Sequence, residues 1–338
     1  MKDKKYILAA AAICVAIAAS AAVIKGHGYV YEGAVSAGVP DGYGICRYDN
    51  GTAYYGFWSN GRRCGLGRMQ FADDTFEFGI WRNGVYQPVK GQKFVPGRQC
   101  YGIDVSKYQK EVEWTRLSLP ANASGKVLPS NRKTLYRQPV LFAMMKSTQG
   151  TTLKDPAFER NFAQARRCGI IRGAYHFLSV HTPAVRQAAE FIANTPLEAG
   201  DLPPVLDLEI DKATMRRDHA KVVRMAKEWL RIIEAHYGVK PIVYTYNNYY
   251  IDYLRGHGLD GYDYWIARYG AEPTARHWEI WQFTETGRAA GICHDVDINV
   301  FRGNYRDLLN YVKQNGIHRN YARSRRPAAL TAMQHRSV

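Results

Sequence analysis

Apolar and polar positions alternate in two different rhythms along this chain, and the rhythm changes near residue 100. Between residues 29 and 86, aromatic residues alternate with small or polar ones, as in Tyr54-Tyr55-Gly56-Phe57-Trp58, and runs end in turns such as Ser59-Asn60-Gly61. Period-two alternation bounded by Asn-Gly predicts β-hairpins. Gly33, Gly56 and Gly79 recur every 23 residues, and the same step links Tyr31 to Tyr54, Trp58 to Trp81, and Gly38 to Gly61 to Gly84. A fixed period marks stacked units that bury a core only against their neighbours. Residues 87–99, with Pro88, Gly91, Pro96 and Gly97, read as a linker.

From residue 100 to about 314 short apolar runs alternate with helical patterns. Candidate strands are Tyr101–Val105, Val140–Lys146, Arg172–Phe177, Val205–Glu209, Ile242–Tyr246, Tyr264–Arg268 and Glu279–Phe283, with a last one near Asp295–Val300. Asp155-Pro156 predicts the start of a helix whose buried stripe is Phe158, Phe162 and Ala165. Thr182-Pro183 repeats the device before Ala188, Phe191 and Ile192, and Val222, Met225, Trp229 and Ile233 keep the 3.6-residue period of a third helix. Strands alternating with helices predict an α/β domain built on a parallel, barrel-like sheet, in which an active site lies at the C-terminal ends of the strands.

Acidic residues cluster at those ends. Asp104 closes the first strand, Asp207 and Glu209 close Pro-Pro-Val-Leu-Asp-Leu-Glu, and Asp297 follows the last. Positions i and i+2 of a strand face the same way, ~6.6 Å apart. Neighbouring carboxylates repel, which raises one pKa and keeps that group protonated for use as a general acid. A solvated strand end carries the same pattern, so spacing alone does not choose.

Two resemblances sharpen this reading. Tyr-Glu-Gly at 31–33, Tyr-Gly-Phe-Trp-Ser-Asn-Gly at 55–61 and Gly-Leu-Gly at 65–67 resemble the MORN repeat, which implies a flat stack of hairpins serving as a spacer or contact surface. Tyr-Gly-Ile-Asp-Val-Ser-Lys-Tyr-Gln at 101–109, Phe-Ala-Met-Met-Lys-Ser-Thr-Gln-Gly at 142–150, Gly-Ala-Tyr-His-Phe at 173–177 and Asp-Leu-Pro-Pro-Val-Leu-Asp-Leu-Glu at 201–209 resemble glycoside hydrolase family 25. So do Trp-Ile-Ala-Arg-Tyr at 265–269, Ile-Trp-Gln-Phe at 280–283 and Val-Asp-Ile-Asn-Val-Phe at 296–301. That resemblance implies an irregular (β/α) barrel and a lysozyme that cuts the β-1,4 bond between N-acetylmuramic acid and N-acetylglucosamine, with no cofactor and no metal. It implies Glu209 as catalytic acid, Asp207 as the partner that orients the 2-acetamido group, and Asp104 and Asp297 as acids lining the groove. Tyr175, Tyr244, Trp265, Tyr269 and Gln282 fall where the family contacts sugar. The expected reaction is retaining and acetamido-assisted. The alternatives are a non-catalytic wall-binding protein and a chitin-type N-acetylglucosaminidase. Gln149 departs from the family, which often has Glu there.

Composition adds partners and an address. The chain has 338 residues, 46 Lys+Arg against 30 Asp+Glu, and a formal charge of +16, which suits an anionic partner and says nothing about fold. Lys2, Lys4 and Lys5 precede an uncharged run from Tyr6 to Ile24, so residues 1–25 read as a secretory signal, with Ala19-Ser20-Ala21 as cleavage site, or as an uncleaved anchor. Cys14, after Ala-Ala-Ile, makes a poor lipoprotein site. Either way the chain is expected in the periplasm or cell envelope, or secreted. Cys46 and Cys64 share a module and are candidates to pair, while the irregular cysteine spacing gives no metal motif. Ser118–Gln138 reads as an insertion, either a disordered surface loop or a flap over the groove. Residues 315–338, with Arg319, Arg323, Arg325, Arg326 and Arg336 and no acids, read as a disordered basic arm for anionic wall polymer or membrane. No nucleic-acid motif accompanies the charge.

Overall fold

The computed structural model describes residues 22–73, 76–87, 93–94, 99–130 and 133–321. The leader through residue 21, with Cys14 and the cleavage site, and the tail from residue 322 lie outside the described residues, as does most of the linker. Among the described residues no helix is long and apolar enough to cross a membrane.

The 23-residue rhythm folds as an antiparallel meander of seven strands, β1 (Ala22–Gly26), β2 (Tyr29–Ser36), β3 (Val39–Tyr48), β4 (Ala53–Ser59), β5 (Arg62–Gln70), β6 (Phe76–Arg82) and β7 (Val85–Gln87). Ala37-Gly38, Asn60-Gly61 and Asn83-Gly84 form two-residue turns with positive φ at both positions, the geometry that matches strand twist. Gly33, Gly44, Gly56, Gly67 and Gly79 face one another across the sheet. A Cβ on Gly44 would lie 2.4 Å from the Tyr31 ring, and one on Gly67 2.6 Å from the Tyr54 ring, so the glycine row is the bed on which the aromatic rings lie. Tyr31, Trp58, Tyr54, Trp81 and Tyr86 follow one another edge-on or tilted, at centroid spacings of 5.2–5.3 Å. Such contacts contribute beyond area burial.

Three sequence expectations change here. Residues 22–25, read as the end of the leader, belong to β1, which pairs with β2 from Ala22–Gly33 to Gly26–Tyr29. Valine and isoleucine serve a strand edge as well as an export segment, and only the partner strand tells them apart. Cys46 and Cys64 are both free thiols. Cys46 on β3 faces Tyr54 and Cys64 on β5 faces Phe57, so β4 separates them. Two strand spacings, ~9.6 Å, exceed the reach of a disulfide. Finally, the tail does not loosen at residue 315: Ile317 is buried, its N–H donates to Asp201 O at 2.9 Å, and the Tyr321 hydroxyl donates to Tyr237 O at 2.8 Å. Two apolar side chains four residues apart were enough to dock a segment that its charge made look loose.

The second rhythm closes into a ring. Its strands are β9 (Cys100–Val105), β12 (Phe142–Gln149), β14 (Ile171–Phe177), β15 (Val205–Asp207), β16 (Ile242–Tyr246), β17 (Asp263–Ala267), β18 (Trp278–Gly287) and β19 (Val296–Phe301). They are hydrogen-bonded in that order, and β9 pairs with both β12 and β19. Pairing is parallel from β9 to β18 and antiparallel on both sides of β19. Helices α1 (Phe158–Arg167), α2 (Ala184–Asn194) and α3 (Lys212–Tyr237) cross between successive strands as expected. The alternation then lapses, with only a short helical turn α4 (Asn247–Tyr249) and a π turn at Tyr250–Leu254 between β16 and β17, and no helix between β17 and β18. Helix α1 begins after Asp155, whose carboxylate instead accepts N–H bonds from Ala157 at 2.9 Å and Lys107 at 2.8 Å.

Strand alternation sorts the side chains. Phe142, Met144, Val205, Ile242, Ile280 and Phe301 point inward and fill the lower ring, while Ile103, Leu206, Val243, Ile266 and Ile298 point outward under the helices. The last helix, α5 (Tyr305–Asn315), plugs the N-terminal mouth with Tyr305, Leu308, Tyr311 and Val312. The hairpin sheet docks on this plug. Arg68 lies between the rings of Tyr55 (4.5 Å) and Tyr305 (4.4 Å) and donates to the Tyr305 hydroxyl. The sheet therefore abuts the end of the ring remote from the strand C-termini.

The insertion at 118–138 is ordered where described and does not overhang the groove. With Val112, Trp114 and Leu117 it forms the crossover from β9 to β12, covering the outer wall where a helix would otherwise lie. Leu119, Ala121 and Val127 are buried in it, and β11 (Tyr136–Pro139) pairs on one side with β10 (Ser118–Pro120) and on the other with β8 (Lys93–Phe94). Scattered apolar residues without periodicity carry this packing, which hid it in a polar stretch; β13 (Leu153–Lys154) completes the strands as a short addition to β12.

His176 illustrates the cost of an enclosed polar group. It is fully buried, stacks on Trp229, and hydrogen-bonds through Nδ1 to Thr148 Oγ1 (2.7 Å) and through Nε2 to Gln187 Oε1 (3.0 Å). Burial pushes its pKa down to about 4. The unfolded chain takes up the proton near pH 6.5 and the folded one resists it, so stability falls as pH drops between those values. We expect a loss of about 3 kcal/mol from this group between pH 7 and pH 4; urea unfolding across that range checks it, and His176→Gln should flatten the dependence.

Candidate active site

Alternation along β15 sends Val205 and Asp207 inward, and Glu209, just past the strand, continues on the same side, while Leu206, Leu208 and Ile210 pack outward. Asp104 on β9 and Asp297 on β19 are directly opposed in the antiparallel register. These four acids, from three separate stretches of chain, line one open cleft of about 300 Å³ at the C-terminal end of the ring. Tyr175, Tyr244, Trp265, Tyr269 and Gln282 line it too.

The polar groups form one network. Gln282 donates through Nε2 to Asp104 Oδ2 (3.0 Å) and Asp297 Oδ2 (3.1 Å), and its Oε1 accepts from the Tyr244 hydroxyl (2.9 Å). Trp265 Nε1 donates to Asn299 Oδ1 (2.8 Å), fixing the amide so that its Nδ2 donates to Asp104 Oδ2 (2.9 Å). Gln282, Asn299 and Trp265 are buried and therefore rigid. The Tyr269 hydroxyl lies 3.2 Å from both Gln282 Oε1 and Glu285 Oε2. Tyr244 lies tilted against Trp265 at 4.3 Å, and Trp265 meets Tyr175 edge-on at 6.0 Å, so an aromatic wall backs the acids.

Burial and mutual repulsion hold protons in this cleft. Burial, with the neighbouring Asp104 carboxylate, pushes Asp297 up to about 10, so Asp297 carries the proton of its hydrogen bond to Asp104. Burial and then Glu209 raise Asp207 well above the carboxylate range, partly offset by Lys146. Burial also raises Glu209, partly offset by its interaction with the neighbouring Tyr244 hydroxyl. Asp207 Oδ1 is enclosed with no hydrogen-bond partner among the described residues, a group waiting for a donor from outside. Burial and mutual repulsion therefore disfavour full ionisation of the pair at 207 and 209.

Several cleft residues escaped the sequence reading. Lys146, the cation between the carboxylates, donates to Gln149 Oε1 at 2.8 Å. Gln149 thus occupies the place of a counter-charge without supplying one, leaving the lysine's charge to the acids. Asn299 and Tyr246 sit two residues from Asp297 and Tyr244, and the same alternation rule finds them. Glu285 does not obey that rule, because β18 slips register between Gln282 and Thr284 and again before Gly287. Tyr108, Tyr246 and Tyr269 stand at the rim as exposed rings, a feature that no spacing announces. Among the described residues no group of His, Cys, Asp and Glu has the geometry to hold a metal ion.

The model of glycosyl hydrolases family 25 matches residues 103–292, more than half of the chain. The chain belongs to this family. It is a glycoside hydrolase, and MORN repeats match at 31–53 and 54–76, ahead of the family 25 domain. The uncharacterized protein YegX of Escherichia coli O6:H1 is 33% identical over 232 residues, covering 67% of this chain and 79% of that protein. Lysozyme M1 of Streptomyces globisporus is 28% identical, covering 62% and 69%. Among solved structures, the bacterial lysozyme of Streptomyces coelicolor superposes with a TM-score of 0.53 at 27% identity, covering 63% of this chain and 97% of that one. The family 25 glycosyl hydrolase from Bacillus anthracis gives 0.51 at 28%, covering 63% and 94%.

Proposed function

We propose that this chain is an exported muramidase that hydrolyses the β-1,4 bond between N-acetylmuramic acid and N-acetylglucosamine in peptidoglycan. The observation that carries this reading is the cleft itself: carboxyl groups that retain protons, walled by aromatic rings, in an irregular (β/α) barrel whose relatives include a lysozyme. Glu209 is the general acid. It stands outermost on its strand, faces the open cleft and is held by the Tyr244 hydroxyl, so it delivers its proton to the leaving glycosidic oxygen. Asp207 lies deeper, and its unpartnered Oδ1 accepts the N–H of the 2-acetamido group, turning the acetamido oxygen toward the anomeric carbon. Asp104 and the protonated Asp297 hold Gln282 and fix the floor on which the sugar rests, and Tyr269 and Tyr175 supply ring contacts. Substrate assistance releases the enzyme from the carboxyl spacing that a protein nucleophile demands.

The uncharged run that follows Lys2, Lys4 and Lys5 supports export, and the basic tail, beyond the described residues, suits an anionic wall polymer or membrane. The hairpin sheet, docked on α5 at the closed end, acts as a spacer rather than as a lining of the cleft. The test is to follow reducing ends released from peptidoglycan and from chitin, and to read the first product's anomer by NMR. Release from peptidoglycan with a β-anomer first is expected. Preference for chitin would move the substrate, an α-anomer would end the assisted mechanism, and no release from either would leave a wall-binding protein.

A further inference from the structure

A second concavity, of about 430 Å³, opens beside the cleft and carries the opposite charge. Arg116, Arg137 and Arg288 line it, with Glu113, Pro120 and the backbone of 289–293. Two of the arginines are satisfied: Arg116 pairs with Glu113 at 3.0 Å, and Arg288 pairs with Asp295. Arg137 is not. It is half-buried at the centre of the β10–β11–β8 sheet, opposite Pro120, and its Nε is enclosed with no partner among the described residues. No carboxylate opposes the loss of solvation, which by itself lowers the guanidinium's pKa. An Nε–H enclosed without an acceptor costs stability. Such a cost persists where a ligand supplies the missing partner.

The two concavities share a wall. The facing ends of β18 and β19 line the cleft with Glu285 and Asp297, and the connection between these strands lines the second pocket with residues 288–293. Gln109, which lines the cleft, donates to Asp295 O at 3.1 Å, and the Asp295 carboxylate holds Arg288 on the pocket side. A substituent on a sugar in the cleft needs only to cross this ridge. In peptidoglycan the muramic acid carries a peptide stem ending in carboxylates.

We infer that this pocket is a subsite for a carboxylate of the peptide stem, with Arg137 as its counter-ion. The inference rests on the peptidoglycan reading and extends it to the substituent. Two measurements separate them. First, titration of the protein with a soluble stem tetrapeptide, followed by NMR or calorimetry, should show saturable binding that Arg137→Gln abolishes and Arg137→Lys partly restores. Second, Arg137→Gln should lower kcat/KM on stem-bearing glycan strands by roughly tenfold, through KM, the amount expected of one charged hydrogen-bonded pair. Strands stripped of peptide should be cleaved at the wild-type rate. Thermal stability should hold or rise, because an uncompensated charge is removed. Absent tetrapeptide binding, or equal losses on both glycans, overturns the subsite. Tetrapeptide binding without cleavage of either glycan supports the subsite and overturns the muramidase.

Discussion

Glu209→Gln is expected to lower the rate of peptidoglycan hydrolysis at least ~10²-fold, the scale of a lost general acid. The amide keeps the shape of the side chain and its place beside Tyr244 but cannot release a proton to the leaving oxygen. The fold should be untouched, since the group lies at the open end of the ring and its charge form is already disfavoured by burial. Asp207 should respond as well: Glu209 is the charged neighbour that most raises its pKa, so the variant's Asp207 ionises at lower pH. Initial rates on purified peptidoglycan, paired with a thermal unfolding curve, test this. Wild-type turnover in the variant would move the acid elsewhere, and a collapsed melting temperature would make the rate uninformative.

Arg172→Ala should have the largest effect on stability. The side chain is buried and forked onto Asp201, with Nε to Oδ1 and an Nη to Oδ2 both at 2.8 Å, and it also reaches Glu198 at 3.0 Å and Phe162 O at 3.0 Å. Its guanidinium lies 4.0 Å over the Phe162 ring. Removing one partner strands a buried carboxylate, which typically costs about 3–5 kcal/mol. A lower urea midpoint in Arg172→Ala, largely recovered when Asp201→Leu is added, is the expected pattern. An unchanged midpoint would show that the pair is dispensable.

Much of the site was legible because strands impose a two-residue period. Knowing that Asp207 faces the cleft is enough to aim Glu209, and the rule extends from Tyr244 to Tyr246 and from Asp297 to Asn299. It failed at Glu285, where bulges in β18 break the period, and at Lys146, a residue in plain view whose meaning depends on which acids surround it. The second pocket was illegible for a related reason. Its arginines come from a crossover that has no periodicity and from a strand connection some 150 residues later, and nothing local brings them together.

The sequence by itself determined the repeat, the strand and helix order, and the side of each strand that carries chemistry, since these follow from backbone periodicity and turn residues acting over a few positions. Only the tertiary structure decided that Cys46 and Cys64 stay apart, that 118–138 walls the ring rather than covering its mouth, that residues 22–25 pair as a strand, and that Ile317 and Tyr321 dock on the domain. Those outcomes depend on which surfaces remain unburied once the ring has closed, a balance of burial over the whole domain that no short stretch of chain can register.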